Sequence, residues 1–438
     1  MTVPSPQTRC HTPAPGATVA DFDGICRSDL LQRQLELSYP PSSGSHVVVA
    51  VQGPAGETRA AINEDSARFS VPAGCLAKLL TATLLRRLTR GRGLSFESPV
   101  LAVLEQADPQ LRAMLAGITF RHLLDHAHGL DGSELDAVPR DSNGFVDRRA
   151  LLSVLERAPR LGAPGEVCSY GDAGAWLSAW VLEYSSGRRF EELLDQVLSS
   201  WSSANESGVA AGICPALGGG LRIPMASLLA YLRSELSCGP SGLLADTEAA
   251  ALESSLHPRS GWSALDQGLY LGWTYYGAGW LGHNSIVPHA PAMVRINPGR
   301  GLALLVSTDG TNPTMVAARL FSRMAPELFR INTPASGNAP RLPASALDAC
   351  QGRYGIRRVS FELLREEHSM TISAYARVSG DGEGPYARGV FVPGHRNVLI
   401  ARAAHPLLPQ FFQLIHPVSD GFRFLWDGKS AFPRLQTS

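Results

Sequence analysis

The sequence predicts an α+β fold: an antiparallel sheet flanked by a helical lobe, with a small antiparallel β-domain behind it. Three observations lead there. Short β-type runs stand at both ends of the first 330 residues, and helical periodicity fills the stretch between them. A Pro/Ser/Ala/Asn-rich segment then opens onto a new series of short, evenly spaced strands. Strands, then helices, then strands again is the order in which early and late strands share one sheet.

Taken in order, residues 1–40 form an N-terminal arm, rich in Pro, Ser and Thr and helical in pattern only around Asp29–Leu37. "HVVVAVQGP" and "TRAAINED" read as two strands joined by a Gly/Pro turn, and "ARFSVPAG" as a third extended piece. From Cys75 to about Thr89 the leucines recur at helical spacing. "ITFRHLLDHAHGL", "RRALLSVLER", "GAWLSAWVLEYSSGRRFEELLDQVL" and "PMASLLAYLRSEL" are further helical pieces, broken at Gly and Pro. Strand patterns return in "YLGWTYYG", "GWLGHNSIV", "AMVRINP" and "GLALLVSTDG", and a helix is expected over Pro313–Phe329. The expected organisation is an arm over 1–40, a main domain over 41–330, a linker over 331–346 and a β-barrel-like domain over 347–438.

Composition excludes several classes. Formal net charge is zero, and the arginines are scattered, so there is no electrostatic footprint for nucleic acid. No apolar run is long enough to span a membrane, and the N-terminus has no apolar stretch of the kind a secretory signal needs. Seven cysteines without a C-x-x-C pair read as reduced thiols, which points to the cytoplasm and removes the strongest zinc signatures. No cofactor is implied. His122, His126 and His128 lie close together, but without the carboxylate spacing of a zinc helix they do not argue for a metal. "ALGGGLRIP" (216–224) lacks the Lys and Ser/Thr of a phosphate loop.

The most informative residue is Lys78. Only Lys78 and Lys429 are lysines among the 39 basic residues; all the others are arginine. Lys78 follows Cys75 by three positions, so the two share one face of the helix. A Cys in the first turn of a helix, beside an ammonium group, favours the thiolate. Lysine can release a proton when partly buried and arginine effectively cannot, which explains lysine here if the pair is catalytic. The competing reading is a small buried Cys75 beside a surface cation.

The neighbouring segments favour catalysis. "FSVPAGCLAKLLTATLLRRL" resembles the active-site segment of the serine β-lactamase and penicillin-binding-protein superfamily, in its class C-like branch of esterases, D-amino-acid peptidases and transacylases. The S-x-x-K motif of that family stands here as Cys75-Leu76-Ala77-Lys78. "APGEVCSYGDAGAWLSAW" is similar to the segment with the Y-x-N motif, here Tyr170-Gly171-Asp172, and "GWLGHNSIV" to the one with K-T-G or H-x-G, here His283-Asn284-Ser285. The resemblance runs across roughly residues 45–330. It implies an acyl-accepting Cys75, with Lys78 and Tyr170 moving protons. It also implies an oxyanion hole from the backbone N–H groups of Cys75 and Ile286. Asp172, His283, Asn284 and Ser285 would contact the substrate, and Tyr275, Tyr276 and Trp280 could wall an apolar acyl pocket.

All three motifs are altered. Cys for Ser makes the intermediate a thioester, a good acyl donor, which favours transfer over plain hydrolysis. Asp172 for Asn sets a carboxylate near Lys78, where it would hold the ammonium or bind a substrate amine. Ser285 for Gly adds a side chain where substrate backbone usually passes. The expected function is covalent acyl transfer by a biosynthetic transacylase or thioesterase-like enzyme of specialised metabolism, on a small acyl substrate that could ride on the pantetheine arm of a carrier protein. The alternatives are an esterase, D-amino-acid peptidase or β-lactamase-like hydrolase, and a non-catalytic binding relative.

Overall fold

The computed structural model of the protein describes residues 31–33, 35–36, 46–53, 56–63, 70–132, 135, 138, 148–158, 160–200, 221–236, 257–258, 268–277, 279–285, 291–308, 343–356, 359–365, 369–380, 382–383, 387–393, 398–402, 411–418, 421–426 and 431–435. The expected helix over 313–329, Ile286 and most of the linker lie outside these residues.

The first strands are β1 (Val47–Gly53) and β2 (Gly56–Ile62), a hairpin, and β3 (Ser70–Pro72). The helical lobe comprises α1 (Ala77–Gly91), α2 (Pro109–Met114), α3 (Phe120–Leu124), α4 (Arg148–Arg157), α5 (Ala173–Ser186), α6 (Phe190–Ser199) and α7 (Met225–Glu235). Between α6 and α7, β4 (Arg222–Pro224) pairs with β3 apart from the main sheet. Then come β5 (His257–Pro258), β6 (Gly268–Tyr270), β7 (Trp273–Gly277), β8 (Trp280–Ser285), β9 (Ala292–Asn297) and β10 (Leu302–Thr308).

The sheet runs β2-β1-β10-β9-β8-β7-β6-β5, antiparallel throughout, with Val47 opposite Thr308. Early and late strands therefore lie side by side, as expected. β1 and β10 are buried along their whole length, which is why both read as unbroken apolar runs. The outer edge at β2 is covered by the helical residues of the arm: Gln32 exchanges hydrogen bonds with the Ala61 backbone at 3.0 and 3.1 Å. One hydrophobic core joins α1, α5 and α7 to the helix-side face of the sheet. α5 is apolar on nearly every face, and α1 is buried for most of its length, so both run through the interior.

Two local differences from expectation matter at the site. The helix begun at Phe120 stops at Leu124, because His126 (φ 53°) and Gly129 (φ 74°) take left-handed conformations that no helix continues through. Cys75 lies in a 3-10 turn, Gly74–Leu76, just ahead of α1. Short α2, not anticipated, is set by Pro109 at its first turn and by Asp108, which accepts from the Gln110 N–H at 2.8 Å.

The second body begins with α8 (Ala344–Ala349), inside the segment expected as linker. It continues through β11 (Gly352–Gly355), β12 (Val359–Arg365), β13 (Ile372–Gly380), β14 (Gly382–Glu383), β15 (Ala387–Pro393), β16 (Val398–Ala401), β17 (Phe411–Val418), β18 (Gly421–Trp426) and β19 (Ala431–Pro433). Neighbouring strands pair antiparallel, and the chain after β19 meets β11 again through the Tyr354–Arg434 bridge. It has its own core, including Leu347, Tyr354, Phe361, Phe391, Phe412 and Phe432.

Candidate active site

Three parts of the chain meet at one end of α1. The 3-10 turn carries Cys75, half-buried, and packs against β8. Its tight shape relies on Gly74 (φ 46°), a conformation other residues seldom adopt. Lys78, in the first turn of α1, is 6% exposed, and its Nζ lies 2.8 Å from Asp172 Oδ1. Asp172 occupies the N-cap of α5 but makes no side-chain cap; its carboxylate turns to Lys78 instead. The Lys78 ammonium also stands 5.2 Å from the centre of the Tyr170 ring.

Tyr170 sits between two histidines. Its ring centre is 4.5 Å from that of His126 and 5.8 Å from that of His283 on β8. His283 is 5% exposed, and its Nδ1 lies 3.1 Å from the Asn284 carbonyl. The loop that delivers Tyr170 is tied to the segment carrying His126 by Leu161 N–H to Gly129 O (2.9 Å), Gly165 N–H to Ala127 O (2.7 Å) and Ser169 N–H to His126 O (3.0 Å). Cys75, Lys78, Tyr170, Asp172 and His283 thus converge, though they come from separate parts of the sequence.

Strand alternation divides the remaining expected residues. Leu281 belongs to the helix-side core, so His283 and Ser285 share that face. Ser285 is 1% exposed, and its hydroxyl has no hydrogen-bond partner among the described residues. Asn284 stands on the opposite face, where Arg295 of β9 donates to its Oδ1 at 2.8 Å and to the Val294 carbonyl at 2.7 Å. Gly282 makes room for that arginine: a Cβ there would fall 2.4 Å from Arg295 Cδ. Tyr275 is packed in the core with its hydroxyl accepting from Gly279 N–H at 3.3 Å, and Trp280, 1% exposed, shares the face of Asn284. Both are buried, and the Tyr276 side chain lies outside the described residues.

The three clustered histidines do three different jobs. His122 caps α3 with Thr119, His126 packs against Tyr170 with the two rings tilted by 50°, and His128 Nδ1 accepts from Leu130 N–H at 3.2 Å. Among the described residues no group of three His, Cys, Asp or Glu could hold a metal. Burial, aided by Arg160, drives the His128 imidazole down to about 4, and burial lifts the neighbouring Asp125 carboxyl to about 7. Behind Lys78 lies a cavity of about 20 Å³ lined by Thr81, His126, Ser178 and Gly272, among others, room for one water. Sequence reasoning weighed His126 only as a metal ligand and missed Arg295. The signal for His126 was its place in the "HLLDHAHGL" segment; Arg295 carried none.

The comparisons with known proteins bear on the family and the fold. A family model described as Beta-lactamase matches residues 66–327, more than half of the chain. No curated protein sequence matches significantly. Among solved structures, the chain is similar to SurE with D-Leu (22% identity, TM-score 0.69, covering 93% of this chain and 99% of that one). It is also similar to an octameric penicillin-binding protein homologue from Pyrococcus abyssi (15%, 0.51, 94% and 99%). A third is the D-amino acid amidase from Ochrobactrum anthropi SV3 complexed with L-phenylalanine amide (13%, 0.50, 68% and 98%). The structural likenesses establish the fold. The chain belongs to the beta-lactamase family, within the superfamily of serine β-lactamases and penicillin-binding proteins, whose members are hydrolases and acyl-transferring enzymes.

Proposed function

We propose that the protein is an acyl-transfer enzyme that carries its acyl group as a thioester on Cys75. The observation that carries this reading is the buried Lys78, one helical turn from Cys75, paired to Asp172 at 2.8 Å and lying over Tyr170. In the first half-reaction the Cys75 sulfur attacks the donor carbonyl, the S–C bond forms and the bond to the leaving group breaks. The thiol proton passes through Lys78 and Tyr170 to the leaving group. The backbone N–H groups of Cys75 and Ile286 receive the oxyanion. In the second half-reaction an amine attacks the thioester, gives up a proton by the same route in reverse, and frees Cys75. Asp172, about one-third exposed, keeps carboxylate surface open to that amine. His283 and the Ser285 hydroxyl, on one face of β8, hold the acyl group.

The substrate class we propose is an acyl group ending in a D-configured amino-acid residue, delivered as a thioester on the pantetheine arm of a carrier protein, in the cytoplasm. Two structures similar to this one support the configuration, one solved with D-Leu and one of a D-amino acid amidase. The seven cysteines without a C-x-x-C pair support the compartment. The likeness to an amidase also supports a second reading, in which water replaces the amine and the enzyme is a hydrolase.

The test is intact-protein mass after mixing with a short thioester of an acyl-D-leucine and, separately, its L-epimer. An adduct on Cys75 from the D-epimer, absent in Cys75→Ala, is expected, and an added amine should discharge it faster than water does. Equal adducts from both epimers would remove the configurational claim, and no adduct from either would remove the acyl-enzyme.

A further inference from the structure

The loop that carries Tyr170 is held from two sides. On one side its backbone is tied to the 125–130 segment, and Cys168 Sγ adds a contact to the Asp125 carbonyl at 3.4 Å. The packing there leaves no space: a Cβ on Gly129 would meet the Gly162 carbonyl oxygen at 2.3 Å. On the other side stands the β-domain. Arg423 of β18 forms an ion pair with Glu166, and Glu166 also accepts from the Ala163 N–H at 2.9 Å, closing the turn that precedes Tyr170.

Phe424 completes the contact. It lies outside the β-domain core that its neighbours Phe422 and Leu425 help to fill. Yet Phe424 is 0% exposed. Its ring reaches the bare backbone at Gly162, where a Cβ would lie 3.4 Å from Phe424 Cζ and 2.7 Å from Glu166 Oε2. The Arg423 guanidinium lies over the same ring, 5.4 Å from its centre. The 125–130 segment, the 161–169 loop and β18 are therefore stacked as three layers. Tyr170 leaves the middle layer directly from Ser169, whose N–H is bonded to His126.

We propose that the β-domain is a positioning element for the site, with Phe424 and Arg423 as positioning residues that set where the Tyr170 ring stands beside Lys78. Its catalytic consequence rests on the reading of Tyr170 given above; its structural part does not. A displacement of about 1 Å at a catalytic group is enough for a hundredfold loss in rate, so a clamp outside the cleft can govern turnover without touching substrate.

The experiment uses the full chain with Phe424→Ala, Arg423→Glu, and the charge exchange Arg423→Glu/Glu166→Arg. Two readouts are taken: amide hydrogen exchange across residues 161–172, and kcat and KM for the thioester donor. Phe424→Ala should raise exchange at Leu161, Gly165 and Ser169 at least about tenfold and lower kcat roughly ten- to a hundredfold, with KM within about threefold. Arg423→Glu should act in the same direction more weakly, and the charge exchange should recover only the ion-pair part of that loss, because an arginine at 166 cannot accept from the Ala163 N–H. Should Phe424→Ala fail to fold, the Arg423→Glu variant and its exchange partner decide alone. Unchanged loop exchange in folded variants would overturn the clamp; a loosened loop with normal kcat would overturn its positioning role. If the parent protein forms no acyl-enzyme, the proposed function falls while the exchange arm still decides the clamp.

Discussion

Helix α1 carries two cations that meet two carboxylates, and the pairs are built for different ends. Lys78, at the cleft end, makes one contact of 2.8 Å with Asp172, which stays about one-third exposed. Arg86, eight residues on, is 0% exposed, as is its partner Glu235 of α7. There the guanidinium reaches both carboxylate oxygens at 2.6 and 2.5 Å and Thr83 at 3.0 Å, while Thr83 donates to Glu235 at 2.8 Å. Burial pushes the Glu235 carboxyl up, and Arg86 opposes that push. A permanently charged group suits a dry contact with a buried carboxylate, here made through Nη2 alone, and a single ammonium able to release its proton suits a half-open site. The difference teaches why a chain so rich in arginine has lysine at 78. Position 86 asks for a permanent charge, and position 78 asks for exchangeable protons.

The largest effect should come from breaking the buried pair. Arg86→Ala leaves Glu235 without its counter-charge in the interior and should cost about 3–5 kcal/mol of stability. Asp172→Ala, where the carboxylate is about one-third exposed but Lys78 is buried, should cost less, about 1–3 kcal/mol. Urea melts of the two variants check this, and equal losses would erase the distinction between the two ends of α1.

Next comes the reciprocal change in function. Lys78→Arg keeps the positive charge but removes the proton carrier, so acyl-enzyme formation should fall at least about a hundredfold with the melting temperature nearly unchanged. Stopped-flow acylation measures it. Near-normal rates would make Lys78 a second structural cation, like Arg86.

A smaller effect sharpens the contrast with a carboxyl that lacks such a partner. Asp125 is fully buried, with the nearest Arg121 nitrogen 3.8 Å away, and burial lifts it from 3.8 to about 7. The folded protein keeps that proton where the unfolded chain has lost it, so Asp125 removes stability as pH rises from about 4 to 7. His128 is driven from 6.5 to about 4, so the unfolded chain binds the extra proton, and His128 adds stability as pH rises from about 4 to 6.5. In the parent the two slopes largely offset. Asp125→Asn should leave the His128 slope alone, with stability rising between pH 4.5 and 6.5 and level above. Unfolding midpoints at four pH values test it, and parallel curves for parent and variant would remove Asp125 from the account.

Much of this was readable without coordinates. The β1–β2 hairpin, α1, and the paired α5 and α6 follow from spacing and from Gly/Pro breaks, all local signals. The order Cys75, Lys78, Tyr170, Asp172, His283 was visible as motifs, and the fold brings these five together. The end of the helix at Leu124 was not readable, because the left-handed His126 sits where the chain packs against Tyr170, over forty residues away, and no local pattern marks that contact. Nor could the sequence separate Asn284 from His283, or assign Tyr275 to the core: a strand shows that neighbours face opposite ways but not which way is in.

By itself, then, the sequence determined the α+β class, the order of elements and the chemical types offered to the site, since these rest on periodicity and residue chemistry within short windows. Tertiary structure alone decided that Lys78 meets Asp172 while Arg86 meets Glu235, that Asn284 turns to Arg295, and that Phe424 of the β-domain leans on Gly162. Each of these joins residues far apart in the chain. Which cation finds which carboxylate depends on the helices and strands that burial packs together, and no local pattern records that.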